Sequence, residues 1–255
     1  MDFSTLDAAH EPHLLVRPLV SELASQTEKP DATLESDDFQ PPSADAAEIW
    51  EELVARRMLI AGHIVEEAHV SLLVTRGNYG DRSDLVAYAA RLERVLTGCP
   101  QKVLAYDCDV AASTVSQWAR QTLHHFGLQC TIRRAPLALV MVAACHAAGR
   151  TGAPLMYEER IRSDGSYELR LPRPEAILRP SLTDAEYEVL RAVVTGDSHS
   201  SVGRLRHRSP RTVANQLRSI ADKLGVCGRF QYVELAVRLS MTRGLPAAPP
   251  APGGN

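Results

Sequence analysis

The stretch TGDSHSSVGRLRHRSPRTVANQLRSIADKLGV, Thr195 to Val226, has a counterpart earlier in the chain, TGCPQKVLAYDCDVAASTVSQWARQTLHHFGL, Thr97 to Leu128. Three landmarks keep one spacing. Thr97-Gly98 and Thr195-Gly196, Ser113-Thr114-Val115 and Arg211-Thr212-Val213, and Gly127-Leu128 and Gly225-Val226 all stand 98 residues apart, with no insertion between them. Each copy reads as a small helical unit with a tight turn in its middle.

The later copy carries the clearer local signals. Thr183-Asp184-Ala185-Glu186 is a capping box, in which the Thr hydroxyl and the Glu carboxylate satisfy free backbone donors at a helix start. Tyr187, Val189, Leu190 and Val193 follow at helical spacing, and Gly196 ends the run. A short helix is expected over His199–Arg206. Ser209-Pro210 then opens a longer one, with Ser as cap and Pro in the first turn. Val213, Leu217, Ile220, Ala221 and Leu224 form its apolar face before Gly225. A fourth helix runs from about Phe230 to Met241. In the earlier copy the corresponding helices run about Asp84–Thr97, Pro100–Cys108, Ala112–Phe126 and Pro136–Ala148. The last is apolar almost all round from Leu137 to Ala144, more than a small unit needs for its own core, so a second face should be buried against another element.

A short β-hairpin precedes each unit. Tyr157–Arg162 and Tyr167–Leu171 flank Ser163-Asp164-Gly165-Ser166, where Asp-Gly is a strong turn signal. Ile64-Val65 and Val70–Val74 form a weaker version, and the strands align at an offset of 97. Before it, Ile49, Trp50, Leu53, Val54 and Met58 predict a helix from Ala44 to about Ala61, capped by Ser43 or Asp45. Residues 1–43 and 244–255, rich in acidic, Ser, Thr and Pro residues or in Pro, Ala and Gly, are expected to be disordered.

Charge is unevenly placed along a chain of net charge −3. Residues 1–60 carry thirteen carboxylates against four cations, and residues 201–245 carry nine cations against Asp222 and Glu234. An acidic front and a basic back is the asymmetry that nucleic-acid binding produces. The five cysteines form no CxxC pair, which fits a reducing, cytoplasmic setting. No run approaches 18 apolar residues, so neither a membrane span nor a membrane partner is expected. Cys108, His124, His125 and Cys130 could be imagined around a metal, but helix-facing Cys is more often a small buried hydrophobe, and no metal or other cofactor is expected. No Gly-rich phosphate loop, HExxH or nucleophile elbow is present, which argues against an enzyme.

Leu182-Thr183, Glu188-Val189-Leu190, Thr195-Gly196, Ser209-Pro210-Arg211-Thr212-Val213, Leu217, Ile220, Lys223-Leu224-Gly225-Val226 and Arg229 together resemble the LuxR-type (GerE) helix-turn-helix of bacterial transcription regulators. Gly98, Gln101-Lys102, Leu104-Ala105, Val110, Ser113-Thr114-Val115 and Phe126-Gly127-Leu128 resemble it more weakly. The resemblance implies a mainly α protein with two tandem four-helix, winged-helix-like units. The organisation is then an acidic arm (1–43), a helix and β-hairpin (44–80), a first unit (81–149), a β-hairpin and linker (150–180), a second unit (181–243) and a tail (244–255).

It also implies double-stranded DNA as partner. In that family the third helix enters the major groove. Carried over, the base-facing residues are Ala214, Asn215 and Arg218 in the second unit and Ser116, Gln117 and Arg120 in the first; Asn, Gln and Arg can bond base edges bidentately. Lys102, Thr114, Arg211, Thr212 and Lys223 are suited to phosphate contacts. Because family members pair through the fourth helix, the two units are expected to form an intramolecular pseudo-dimer, or the chain a homodimer, through those helices. Two features depart from the family. Ala214 and Ser116 stand where a Lys is common. Arg206 and Arg208 flank His207 where an aliphatic pair flanks a turn glycine, so either the turn is rebuilt to let them reach solvent or phosphate, or the unit is degenerate. These departures favour the alternative function, a non-catalytic interaction protein that binds another regulator or RNA polymerase.

Overall fold

The computed structural model describes residues 44–80, 83–149 and 154–243; the expectations for residues 1–43 and 244–255 lie outside them. The described residues are mostly helical, with one antiparallel sheet. A two-residue strand β1 (Ala44–Asp45) leads into α1 (Ala46–Val54), whose first turn is capped by Asp45 Oδ1 accepting from the Ala47 N–H at 2.9 Å. The helix stops earlier than its apolar spacing predicts. Arg56 turns into the left-handed region at φ 53°, and Met58–Ala61, expected to be helical, belong to a strand. That strand, β2 (Met58–Val65), pairs with β3 (His69–Arg76) as a hairpin. Val54 and Met58 lie four apart, a spacing compatible with one helix face, but pairing of Met58 opposite Arg76 decides the outcome.

The second hairpin, β4 (Met156–Ile161) and β5 (Tyr167–Pro172), closes through Asp164 and Gly165. Gly165 sits at φ 78°, and Asp164 Oδ1 accepts from both the N–H (2.9 Å) and the hydroxyl (2.6 Å) of Ser166. The two hairpins join into one sheet of order β1-β4-β5-β3-β2. At the central seam β3 and β5 run antiparallel with Val70 opposite Leu171, Leu72 opposite Leu169 and Val74 opposite Tyr167. Since the hairpins align at an offset of 97, this register places Leu72 opposite its own counterpart. A local two-fold axis passes through that pair, and both side chains are fully buried. On the other face of the seam the polar side chains are partnered, Arg170 paired with Glu66 at 3.0 Å and the Ser71 hydroxyl donating to Glu168 at 2.9 Å.

Two three-helix sets complete the frame. The first is α2 (Ser83–Leu96), α3 (Gln101–Asp107) and α4 (Ala112–His125), and the second is α6 (Asp184–Thr195), α7 (His199–Leu205) and α8 (Pro210–Leu224). Their backbones repeat at 98 residues down to the turns. Gly98 and Gly196 have φ of 95° and 105°, Gly127 and Gly225 of 94° and 70°, and the non-glycine pair Asp109 and His207 of 52° and 51°. Left-handed conformation at a non-glycine residue is uncommon, so its recurrence at matched positions carries weight.

After each set comes a further helix, α5 (Leu137–Ala148) and α9 (Arg229–Arg243), and these two pack on each other. Every residue of α5 from Leu137 to Cys145 is buried, because α1, α2, α9 and β3 surround it. Its all-round apolar sequence is thereby accounted for. A 3-10 segment, Pro174–Ser181, links β5 to α6 and packs on α9. Its start is fixed by the buried Arg173–Glu175 pair, and Arg173 also donates to the Glu66 carbonyl at 3.1 Å.

Candidate nucleic-acid interface

The helix start at α6 is built as its sequence dictates and then does more. Glu186 Oε2 accepts from the Thr183 N–H at 2.8 Å, and Thr183 Oγ1 accepts from the Glu186 N–H at 3.3 Å, completing the capping box. The same carboxylate reaches across to the far end of α8, where Lys223 Nζ donates at 2.6 Å and Ser219 Oγ at 2.7 Å. These donors, Lys223 first, hold its carboxyl down to about 2. One buried carboxylate thus ties the N-terminus of α6 to the C-terminal half of α8.

Between α7 and α8 the chain makes a tight turn. His207 takes the left-handed conformation, and Arg208 N–H donates back to the Gly203 carbonyl at 2.8 Å. A Cβ on Gly203 would stand 2.7 Å from the Arg208 carbonyl oxygen, so glycine is required by close approach rather than by its own φ. Arg206 resolves the packing conflict posed by the sequence. Half-buried, it donates from Nη1 to the Ala185 carbonyl at 3.0 Å, while Arg208 is exposed. Ser209 Oγ then accepts from the Thr212 N–H at 3.1 Å, Pro210 takes the first helical position, and α8 begins.

α8 buries Val213 and Ile220 and leaves Arg211, Thr212, Ala214, Asn215 and Arg218 exposed. Residues 211, 214, 215 and 218 follow one another at the spacing of a single helix face, so the side chains expected at base edges share a stripe with Arg211. Lys223 is not free: the ion pair with Glu186 holds it. Residues 199–218 carry five arginines and no carboxylate, and Arg204, Arg208, Arg211 and Arg218 are exposed.

α4 presents the matching stripe with different chemistry. Gln117 and Arg120 are exposed and Thr114 is half-buried, whereas Ser116 donates to Gln101 Oε1 at 3.0 Å and to the Ala112 carbonyl at 3.1 Å. Ser116 therefore braces α3 against α4. Lys102 is exposed on α3. Residues 101–120 balance Lys102 and Arg120 against Asp107 and Asp109, and Asp107 pairs with Arg94 at 2.6 Å. The two faces match in backbone and differ in charge.

Arg229, which the sequence offers only as part of the family resemblance, locks α6 and α9 to the first half. The Arg229 guanidinium donates to the Val194 carbonyl (2.9 Å), the Arg133 carbonyl (3.1 Å) and the Ala135 carbonyl (2.7 Å). Burial without a carboxylate pulls it down to about 10. Its contact has a counterpart across the molecule: Gly196 lies against Arg229, which bonds Arg133, and Gly98 lies against Gln231, which bonds the Gly98 carbonyl at 3.4 Å. Gly98 and Gly196, and likewise Arg133 and Gln231, stand 98 apart.

No helix among the described residues is long and apolar enough to cross a membrane. No curated protein and no solved structure matches the chain. Residues 180–236, which span the capping box, the turn, α8 and the start of α9, match the family described as bacterial regulatory proteins, luxR family. Such a domain is a DNA-binding regulatory module and generally not an enzyme. Residues 180–236 of this chain are thus a LuxR-family (GerE) helix-turn-helix domain.

Proposed function

We propose that the chain is a sequence-specific transcription regulator that reads duplex DNA with two LuxR-like units, residues 81–149 and 181–243, held as an intramolecular pseudo-dimer. The observation that carries the second unit is the repeated left-handed turn residue, Asp109 and His207, set between helices that recur at the same 98-residue offset. The packing of α5 on α9 and the seam at Leu72 and Leu169 support the pairing. In this reading Asn215 and Arg218 of one unit and Gln117 and Arg120 of the other face bases. Ala214 and Ser116 lie on the same stripes and add no cation. Arg211, Thr212, Lys102 and Thr114 contact phosphates, and Lys223 does so only from within its pair with Glu186. The five arginines at residues 199–218, with no carboxylate among them, make the second unit the stronger electrostatic anchor.

Selection of bound duplexes from a random pool tests this, with wild type, Arg120→Ala and Arg218→Ala compared. A motif of two unequal halves about one helical turn apart, ~34 Å, with each substitution relaxing one half, is the expected result. Loss of the whole motif with Arg218→Ala and no effect of Arg120→Ala would remove the first unit from DNA reading. No enrichment at low salt would overturn DNA reading and put the interaction-protein alternative in its place.

A further inference from the structure

The two three-helix sets differ where α2 faces α4. In the second set that place is filled. Glu186 on α6 is joined to Ser219 and Lys223 on α8. The residues 98 positions before Glu186, Ser219 and Lys223 are Tyr88, Gln121 and His125. The alignment is anchored on the same helix by Leu92 and Leu190, and by Val95 and Val193, all buried. Where the second set has its carboxylate and cation, the first set has a groove of about 950 Å³, and Tyr88, Gln121 and His125 line it.

The charge of this groove is one-sided. Arg120 and Arg134 line it together with His124, and none of its lining residues is acidic. Tyr88 and Leu128 add apolar surface. A groove of this size falls within the ~300–1,000 Å³ range of small-molecule sites, in which apolar walls bury the ligand body and a few convergent polar groups orient it. Donor side chains with no carboxylate among them call for an anion, and arginines bind a carboxylate with bidentate geometry.

We propose that this groove binds a small organic acid, whose carboxylate supplies to the first set the anion that Glu186 supplies to the second. The ligand carboxylate sits among Arg120, His124 and Arg134, and its apolar body lies on Tyr88 and Leu128. Bound there, it bridges α2 to α4 as the Glu186 carboxylate bridges α6 to α8. Arg120 is then shared between the ligand and the exposed stripe of α4, which makes the groove an input site for a signal. The binding itself does not depend on any contact with DNA.

The test uses the full chain without DNA, so its outcome is separate from that of the DNA-binding reading. Benzoate and octanoate, with formate as the control lacking an apolar body, are titrated at constant ionic strength. The side-chain NMR signals of Arg120, Arg134 and His124 are followed, with Arg211 and Arg218 as references on the other set. The expected result is saturable shifts at the three groove residues only, with benzoate or octanoate binding at least ~10-fold more tightly than formate. Arg134→Ala should weaken binding by ~10-fold or more, the size of a lost charge-assisted hydrogen bond. Tyr88→Glu, which supplies the missing carboxylate from the chain itself, should abolish it. Shifts that grow linearly with concentration, or that are equal at Arg211 and Arg218, would overturn the proposal. So would binding that Arg134→Ala and Tyr88→Glu leave unchanged, or formate binding as tightly as the larger acids.

Discussion

Replacing Glu186 by Gln separates what the carboxylate does as a cap from what it does as a charge. Gln can still reach back to the Thr183 N–H, since either residue closes a capping box. What it loses is the ion pair with Lys223 at 2.6 Å. The carboxyl is held from 4.5 down to about 2, and at 1.36 kcal/mol per pKa unit such a shift corresponds to about 3 kcal/mol. The Lys223 side chain is 39% exposed, so solvent screens the pair, and the loss expected at pH 7 is about 1–2 kcal/mol. For a domain of this size that lowers Tm by ~3–6 °C. The sign with pH follows from the depressed value. The contribution is fully present above the unfolded-state value of 4.5 and is lost as pH falls toward about 2. Urea unfolding followed by the fluorescence of the buried Trp50, at several pH values between 7 and 2.5, should show wild type and Glu186→Gln converging as acid is added. A difference that is the same at pH 7 and pH 3, or one of only a few tenths of a kcal/mol at pH 7, as for an ordinary surface change, would refute the reasoning.

Other positions give sharper contrasts. Gly127→Ala and Gly225→Ala both put a side chain at positive φ, but a Cβ at 127 would stand 2.4 Å from the Ile60 carbonyl oxygen and one at 225 meets nothing within 4 Å. Urea unfolding should show about 1 kcal/mol lost at 225 and ~2–4 kcal/mol at 127, where overpacking is added. Leu72→Ala and Leu169→Ala should each cost ~2–5 kcal/mol, and the double variant should be non-additive because the two side chains face each other across the seam. Arg229→Lys keeps the charge but cannot reach three carbonyls at once; a loss of ~2 kcal/mol is expected by thermal unfolding. Burial pushes the Cys145 thiol up to about 12, so iodoacetamide at pH 8 should spare it in the folded protein and modify the exposed Cys227.

Features fixed by neighbouring residues were readable from the chain alone. The Thr183 box, the Ser209-Pro210 start and the Asp164-Gly165 turn are chemistry between residues two to four apart, and helix and hairpin form where those signals stand. Met58 has a helical spacing but lies in a strand, because one residue, Arg56 at φ 53°, breaks the helix with no glycine or proline to announce it. The joining of the two hairpins into one sheet, the Glu186–Lys223 tie and the Arg229 anchor connect residues 35 to about 100 apart. No local pattern encodes such pairs. The apolar surplus of α5 did signal a hidden partner, because a helix with no polar face has to be covered on all sides. The exposed stripes of α4 and α8 could be placed by spacing, but that Ser116 is engaged by Gln101 and Lys223 by Glu186 depends on packing between helices.

Carrying two helix-turn-helix units on one chain has a physical consequence in the proposed reading. A homodimer must present the same residues to both half-sites, whereas fused halves are free to diverge. Here the divergence has a direction. Residues 199–218 hold five arginines and no acid, while residues 101–120 are neutral. The carboxylate that braces α6 on α8 has no counterpart between α2 and α4, where a cationic groove lies instead. Fusion also removes the concentration dependence of pairing, since the second unit is always at the high effective concentration set by the covalent link. Separation of the halves would expose the face of α5 that packs on α9. At ~25 cal/mol per Å² of apolar surface, that exposure opposes independent tumbling. The half-site spacing of this regulator should therefore be fixed by the seam, and a binding motif that tolerates variable spacing would contradict the pseudo-dimer even if both units read DNA.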